Sequence, residues 1–290
     1  MVLALLAGPA AAAEFTFGAL GDMPYSRIEE AWFPGLLEGI NQEDLAFVVH
    51  IGDFKTARAR CTDELFLQRK QWFDRVRHPF VFVPGDNEWT DCRGIYAGSY
   101  DPLERLAKLR ELFSRGEESL GQRRIPLARQ SPDYPEHARW RHGNVLFVTL
   151  NVPGGANNAR HMPEEFRVRS AAVDRWLEQS FTLARGNGLR AVVVFMHANP
   201  WVAPTGRYFG YRELLAALAR ESLGFDGEVL LVHGDTHRHR VDQPLRDPAT
   251  RAPIPNFTRV EVFGSPGMNW VRIHVIDDAK GVGFDVTPGN

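Results

Sequence analysis

Four apolar runs in this chain each end in a Gly-Asp pair. The pairs are Gly21-Asp22, Gly52-Asp53, Gly85-Asp86 and Gly234-Asp235, which follow FTFGAL, LAFVVHI, FVFVP and VLLVH. Short continuous apolar runs predict buried strands of a parallel sheet. The aspartates are therefore expected where such strands end, at the edge where α/β proteins place their sites. Carboxylates gathered there repel each other unless a cation joins them, so the pattern predicts one or two bound metal ions.

Strand-like runs alternate with helix-like stretches through the first half of the chain, which predicts stacked βαβ units. Ser26 and Asp101 are predicted helix caps, and a third helix is predicted over 62–76. The segment 114–141 is rich in Arg, Pro and Gly without a sustained period, so a long surface excursion is expected there.

The last third of the chain changes character. The runs TRVEVFGS, NWVRIHVID and GVGFDVTP are short and separated by Pro, Gly and Asn turns, which predicts antiparallel strands. No repeat or linker divides the 290 residues, and 44% of them are hydrophobic, which is ample for a core. We expect one domain over 14–290, with two sheets covered by helices.

The N-terminus, MVLALLAGPAAAA, is an apolar stretch ending in small residues, although no Lys or Arg precedes it. It predicts a signal peptide over 1–13 and therefore a periplasmic or secreted protein; a frayed apolar N-terminus is the alternative. The stretch is too short for a membrane span, so no membrane association is expected after its removal. A net charge of -2 argues against binding to nucleic acid.

The chain contains two cysteines, each a few residues beyond a Gly-Asp pair. Cys61 and Cys92 are thus expected at the same rim of the sheet. In an oxidising compartment a disulfide between them would pin both loops and order the site. Two unpaired thiols are the alternative, and a cysteine zinc site is not expected because no CxxC pair is present.

Five short blocks follow apolar runs in order along the chain. They are Gly21-Asp22-Met23-Pro24-Tyr25, Gly52-Asp53, Pro84-Gly85-Asp86-Asn87-Glu88, His197-Ala198-Asn199-Pro200 and Gly234-Asp235-Thr236-His237. This order resembles the calcineurin-like metallophosphoesterases, whose blocks are Asp-x-His, Gly-Asp, Gly-Asn-His-(Asp/Glu), a later His, and Gly-His-x-His. The resemblance covers nearly the whole chain after the N-terminal segment. It implies an α/β fold, a four-layer α-β-β-α sandwich of two mixed sheets flanked by helices.

The resemblance also implies which residues bind metal. Asp22 and His237 would bind a first ion, and Asp53 would bridge two. The second ion would take Asp86, His197 and Asp235. Such a pair of ions polarises phosphoryl oxygens and activates a water, so the implied reaction is hydrolysis of a phosphate ester.

Several positions depart from the family pattern. Pro24 replaces a ligating histidine, so Tyr25 or a water would fill its place; a tyrosine merely packed on the rim is the alternative. Asn87 replaces the catalytic histidine and cannot deliver a proton. A shifted alignment would make Asn87 the ligand and Glu88 the acid, whereas the gap-free alignment, which we prefer, makes Asp86 the ligand.

The types of ligand indicate which metal ion is expected. Asp86 and Asp235 stand where the family has Asn and His, which moves the expected ion from Zn towards Mn, Mg, Ca or Fe. His197 and His237 still suit a transition metal, and a Tyr25 phenolate would favour ferric iron and a mixed-valence pair. We therefore expect one or two divalent or mixed-valence ions.

Other polar residues are candidates for contacts with substrate. Lys55 could neutralise phosphate or the carboxylates, with a surface lysine as the alternative. The loop VPGGANNARH could close over substrate or be a plain turn. The candidates in this loop are Asn157, Asn158 and Arg160, and a further candidate is Arg238, which follows His237.

The leading hypothesis is an exported, metal-dependent phosphatase or phosphodiesterase acting on a small-molecule phosphoester, with no protein partner implied. The alternative is a catalytically silent protein that binds metal or a phosphorylated ligand on the same fold. Pro24 and Asn87 motivate that alternative.

Overall fold

The computed structural model describes residues 14–202 and 209–289. The predicted signal peptide over 1–13 lies outside the described residues. The strands are β1 Phe15–Leu20, β2 Val48–His50, β3 Phe80–Phe82, β4 Ala128–Ser131, β5 Tyr134–His142, β6 Val145–Thr149, β7 Ala191–Phe195, β8 Glu228–His233, β9 Arg240–Asp242, β10 Phe257–Glu261, β11 Val271–Asp278 and β12 Gly281–Pro288.

The two helices predicted from caps begin directly after Ser26 and Asp101. Ser26 Oγ accepts a hydrogen bond from the Glu29 amide at 3.2 Å, and the Asp101 carboxylate accepts one from Leu103 at 2.8 Å. Such caps satisfy amides that have no partner inside the helix. The helices are α1 Arg27–Gln42, α2 Asp63–Asp74, α3 Pro102–Phe113, α4 Gly154–Asn157, α5 Pro163–Gly186 and α6 Arg212–Leu223, with a 3₁₀ turn over Thr90–Arg93.

The strands form two mixed sheets, as the resemblance implies. The first sheet has the order β12-β11-β1-β2-β3, and the second has the order β4-β5-β6-β7-β8-β10-β9. Strands β1, β2 and β3 are parallel neighbours, and so are β6, β7, β8 and β10. Their carboxyl ends therefore supply the loops that carry the Gly-Asp pairs.

The two sheets pack face to face, and helices cover their outer faces. In β7, Val193 and Phe195 belong to the core between the sheets, whereas Val192 and Val194 belong to the core beneath α5 and α6. Helices α1, α2 and α3 pack in the same way on the first sheet. Burial on both faces explains why these strands are continuously apolar. The four-layer α-β-β-α prediction is confirmed.

Two sequence-based expectations about the strands are wrong. Part of the segment 114–141 forms β4 and β5, an antiparallel pair at the edge of the second sheet, instead of a surface excursion. Strand β10, expected to be antiparallel, runs parallel to β8 and is antiparallel only to β9. The antiparallel pairing of β11 with β12 is as predicted.

Among the described residues, every helix is too short or too polar to cross a lipid bilayer.

A buried histidine beneath the first sheet leads to a prediction about acid stability. His50 is packed against Phe33, Phe73 and Phe82, and burial lowers its pKa to about 3. The unfolded chain binds a proton on this imidazole below about pH 6.5 and the folded chain does not, so stability falls as the pH drops from about 6.5 to about 3.

We expect His50→Leu to flatten this dependence. Between pH 7 and pH 4.5, the loss of unfolding free energy should be about 2.5 kcal/mol smaller than in the wild type. Urea denaturation at both pH values measures it, with His161→Leu at an exposed histidine as the matched control. An unchanged pH dependence in His50→Leu would contradict the assignment.

Candidate metal centre

The loops that carry the predicted ligands have an unusual backbone. Asp22, Asp53, Asp235 and His237 have φ angles of 55°, 58°, 78° and 57°. Residues other than glycine adopt this left-handed region uncommonly, Asp and His more readily than most, and such residues cluster at functional sites. The surrounding packing therefore holds the backbone at all four residues in a conformation that an isolated loop would not favour.

In two of the Gly-Asp pairs the glycine makes room for the aspartate of another pair. A Cβ atom on Gly85 would collide with Oδ1 of Asp53, and a Cβ atom on Gly234 would collide with Oδ2 of Asp22. The amide of Asp235 donates to both carboxylate oxygens of Asp22 at 3.1 Å. The Gly-Asp motif thus lets the two sheets bring their carboxylates together.

The predicted ligand atoms converge into two groups. Asp22, Asp53 and His197 form one, and Asp86, His197 and Asp235 form the other; within each group the ligand atoms lie within 4.8 Å of one another. His197, which the resemblance places on the second metal, belongs to both groups. The Nε2 atom of His237 lies 3.5 Å from Oδ1 of Asp22.

Both histidines are oriented by backbone carbonyls. Nδ1 of His197 donates to the Ile51 carbonyl at 2.7 Å, and Nδ1 of His237 donates to the Ser265 carbonyl at 2.7 Å. In this tautomer each Nε2 atom carries a lone pair, which is the arrangement that histidine ligands of metals adopt. The two lone pairs face carboxylates.

A cation would stabilise the environment of His197 Nε2. This atom is buried without a hydrogen-bond partner among the described residues. It lies 3.0 Å from Oδ1 of Asp86 and 3.5 Å from Oδ2 of Asp53. A lone pair and a carboxylate oxygen at these distances repel each other unless a proton or a metal ion lies between them. The donor set therefore fits a metal ion.

Burial shapes the electrostatics of the carboxylates. It raises the pKa of Asp22 and of Asp53 well above the usual range, and the charges of neighbouring carboxylates add to this. Burial, together with the nearby Asp86 charge, raises the pKa of Asp235 to about 6. Holding all of these groups ionised at neutral pH requires compensating positive charge, which bound divalent ions would supply.

The alternative ligands Tyr25 and Asn87 lie beside Asp53. The Tyr25 hydroxyl donates to Oδ2 of Asp53 at 2.9 Å and accepts from Nδ2 of Asn87 at 3.0 Å. Nδ2 of Asn87 also donates to the Lys55 carbonyl at 2.9 Å, which fixes the orientation of the amide. Burial and the Asp53 charge raise the Tyr25 pKa well above its usual value. Asp86, rather than Asn87, faces His197, which favours the gap-free alignment.

Glu88 and Lys55 are buried behind the carboxylates. The Glu88 carboxylate accepts hydrogen bonds from the amides of Asp53 and Gly85 at 2.8 to 3.1 Å, so it holds two Gly-Asp loops together. Lys55 is 1% exposed, so the surface-lysine alternative is wrong, and its Nζ donates to the Thr56 carbonyl. Burial lowers the Lys55 pKa, against the opposing charges of Glu88 and Asp53. Their catalytic roles remain predictions.

The candidate substrate contacts lie in different surroundings. Asn157 and Asn158 are buried, and their side-chain amides bond to Gly210, Arg169, Arg93 and Glu165. The exposed guanidinium of Arg160 lies 5.1 Å from the centre of the Phe209 ring, and Arg238 is exposed beside His237. The two asparagines hold the loop together, and substrate binding by any of the four stays a prediction.

Sequence reasoning missed two backbone donors to the carboxylates. The Gly154 amide donates to Oδ1 of Asp86 at 3.1 Å, and the Asn199 amide donates to Oδ2 of Asp235 at 3.0 Å. Each lies in a segment singled out above, VPGGANNARH or HANP. A backbone donor carries no residue signature, so only the three-dimensional fold reveals it.

The predicted disulfide between Cys61 and Cys92 is confirmed. The Cα atoms lie 5.8 Å apart, and both residues are fully buried. The sulfur atoms lie 3.7 and 3.6 Å from the Asn87 carbonyl oxygen, directly behind the loop that carries Asp86. The bond therefore ties the loop after Asp53 to the loop after Asp86.

Removing this bond should destabilise the protein markedly. The double variant Cys61→Ala, Cys92→Ala frees a loop of 31 residues in the unfolded chain, so we expect the unfolding free energy to fall by about 3 to 4 kcal/mol. Urea denaturation of both proteins measures the difference. A difference below about 1 kcal/mol would show that the loops are held by other contacts.

Comparison with solved structures agrees with the fold. The chain superposes on the structure of PhoD with a TM-score of 0.53 and 10% identity, covering 97% of this chain and 69% of PhoD. It superposes on purple acid phosphatase PPD1 from yellow lupin (Lupinus luteus) seeds with a TM-score of 0.54 and 11% identity, covering 95% of this chain and 53% of the lupin enzyme. No protein-family model and no curated protein matches the sequence.

The chain therefore has the calcineurin-like metallophosphoesterase fold. Its candidate metal centre lies at the edge of the sheets where the sequence predicts it. At 10 to 11% identity the likeness establishes the fold, and activity is a separate question.

Proposed function

We propose that the protein is an exported, metal-dependent phosphoesterase that hydrolyses a small-molecule phosphate ester. One observation carries the proposal. Two histidines, each with Nδ1 donating to a backbone carbonyl, direct Nε2 at buried carboxylates on a metallophosphoesterase fold. A metal ion held between these atoms would relieve the repulsion between the Nε2 lone pairs and the carboxylate oxygens.

The ligands follow from the two groups of converging atoms. Asp22, Asp53 and His197 would hold one ion, with His237 beside Asp22, and Asp86, His197 and Asp235 would hold a second. Bound ions of this kind polarise phosphoryl oxygens and make water a nucleophile near neutral pH. Four carboxylates favour Mn, Mg, Ca or Fe over Zn, whereas the two imidazoles favour a transition metal.

The chain's own polar groups would then balance charge and hold the ligand loops in place. Buried Lys55 offers positive charge close to Asp53 and Glu88, and Asn87 lies in hydrogen-bond contact with Tyr25 at the same site. Glu88 holds the Asp53 and Gly85 amides in place, so its role in this proposal is to fix the loops.

A second candidate function has its own supporting observation. Nδ2 of Asn87 already donates to two protein oxygens, and the Glu88 carboxylate already accepts from backbone amides. Neither is free to protonate a leaving group, which favours a silent protein that binds a phosphorylated ligand. Calorimetry with inorganic phosphate and an aryl phosphate assay on the Mn²⁺-loaded protein separate the two. Turnover supports the esterase, and binding without turnover supports the silent protein.

Export is the other part of the proposal. A buried disulfide is typical of proteins that fold in oxidising compartments, and the apolar N-terminus has the pattern of a signal peptide. Expression of the full chain in a bacterial host should yield a periplasmic or secreted form whose intact mass begins at Glu14. An unprocessed cytoplasmic protein would contradict export.

A further inference from the structure

The turn after β6 supplies a hydrogen bond to a predicted metal ligand. Its Gly154 amide donates to Oδ1 of Asp86 at 3.1 Å. The following residues Ala156, Asn157 and Asn158 have φ angles of 59°, 57° and 60°. Consecutive left-handed residues other than glycine are unfavourable, so contacts from outside the turn must hold this conformation.

Arg169 of α5 supplies three of those contacts. Its guanidinium donates to the Asn151 carbonyl at 3.0 Å, to the Asn157 carbonyl at 3.0 Å and to Oδ1 of Asn157 at 2.7 Å. The side chain is buried, and Glu165 balances its charge through hydrogen bonds of 2.5 and 3.2 Å. A planar guanidinium can bond to both ends of the turn and to Glu165 at once, whereas a lysine ammonium cannot.

The same arginine also contacts the loop that carries Asp86. Its guanidinium carbon lies 5.5 Å from the centre of the buried Trp89 ring. The two loops meet again where Nη1 of Arg93 donates to Oδ1 of Asn158 at 3.2 Å. Arg169 thus lies between the turn that provides the Gly154 amide and the loop that provides Asp86.

We propose that Arg169 is a positioning residue for the metal centre. It holds the turn over 151–158 so that the Gly154 amide fixes the Asp86 carboxylate in its orientation towards His197. This inference rests on the proposed function, because it assigns Asp86 to metal binding. It adds a residue, on a helix outside the five sequence blocks, that controls one ligand of that site.

The test combines metal binding with a double-mutant cycle. Calorimetric titration with Mn²⁺ should show Arg169→Lys binding about 10- to 100-fold more weakly than the wild type, as for other residues that orient a ligand. In an Asp86→Asn background, Arg169→Lys should cause little further loss, because the ligand that it orients is already changed. Arg185→Met is the matched control: it also alters an α5 arginine, one bonded to Glu221 and Thr182.

A second measurement needs no metal. In the metal-free protein, hydrogen–deuterium exchange of peptides covering 151–158 should be at least about tenfold faster in Arg169→Lys and Arg169→Met than in Arg185→Met. This arm tests whether Arg169 holds the turn even if one of the variants is less stable overall.

The outcomes separate the inference from the proposed function. If the wild type binds Mn²⁺ and Arg169→Lys binds it equally tightly, the inference is overturned. It is also overturned if Arg169→Lys weakens Mn²⁺ binding just as much in the Asp86→Asn background. An unchanged rate of hydrogen–deuterium exchange in the peptides covering 151–158 would overturn it as well. A wild-type protein that binds no Mn²⁺ contradicts the proposed function itself, and the positioning role falls with it.

Discussion

Asp53→Asn is expected to lower phosphoesterase activity by about 1,000-fold or more. Oδ2 of Asp53 lies 3.5 Å from His197 Nε2, and Oδ1 accepts a hydrogen bond from the backbone amide of Asn87. An amide in its place removes a negative charge and one metal-binding oxygen. The loss of several kcal/mol of stabilisation of the transition state corresponds to that fall in rate. Hydrolysis of an aryl phosphate by the Mn²⁺-loaded protein measures it.

The control for this substitution is Asp226→Asn, which changes an exposed aspartate at the opposite end of β8. It should keep wild-type activity. Because asparagine is close in shape to aspartate, Asp53→Asn should still fold, which circular dichroism can verify. Activity within tenfold of the wild type in the folded Asp53→Asn variant would exclude Asp53 from the centre.

His197→Ala should have an effect of similar size and should also weaken metal binding as a whole. His197 is the one residue common to both groups of converging ligand atoms in the described part of the chain. Its loss removes a nitrogen ligand from each, so we expect activity to fall by about 1,000-fold or more and bound metal to be lost on dialysis.

The matched control is His142→Ala, at the end of β5 far from the strand ends that carry the site. It should retain both metal and activity. A His197→Ala protein that keeps its full metal content through dialysis would show that the carboxylates alone hold the ions, and would contradict the ligand role of His197.

The sequence predicts the strand ends well because their signal is local. A run such as VLLVH is apolar on both faces, and this happens when a parallel strand is buried between a second sheet and a helical layer. The glycine that follows has a tertiary cause, since a side chain on Gly234 would collide with Asp22. The apolar run and the Gly-Asp pair after it together predict where the carboxylates lie.

Strands that bury charged residues in ion pairs are not predicted from an apolar run. Strand β5, YPEHARWRH, buries Glu136 and His137, and Glu136 is compensated by Arg110 of α3 and by Asn151. Its sequence therefore looks like a surface loop. The direction of β10 relative to β8 could not be predicted for a different reason. A short apolar run has the same sequence pattern in a parallel and in an antiparallel ladder.

The polar loop VPGGANNARH shows how one composition can have two causes. Its glycines and asparagines suggested contacts with substrate. In the structure Gly155, Asn157 and Asn158 all have positive φ, a conformation that glycine and asparagine tolerate better than other residues. Backbone geometry accounts for much of this composition. The partner that holds the turn, Arg169, lies on the next long helix and carries no signal of its own.

The most direct test of the central claim is elemental analysis of the purified protein, paired with turnover of a panel of phosphate mono- and diesters after loading with Mn²⁺. We predict about one to two metal ions per chain and hydrolysis of at least one ester, abolished by a chelator and restored by Mn²⁺. A protein that takes up no metal would contradict the metal centre. Full metal loading without turnover of any ester would contradict the phosphoesterase.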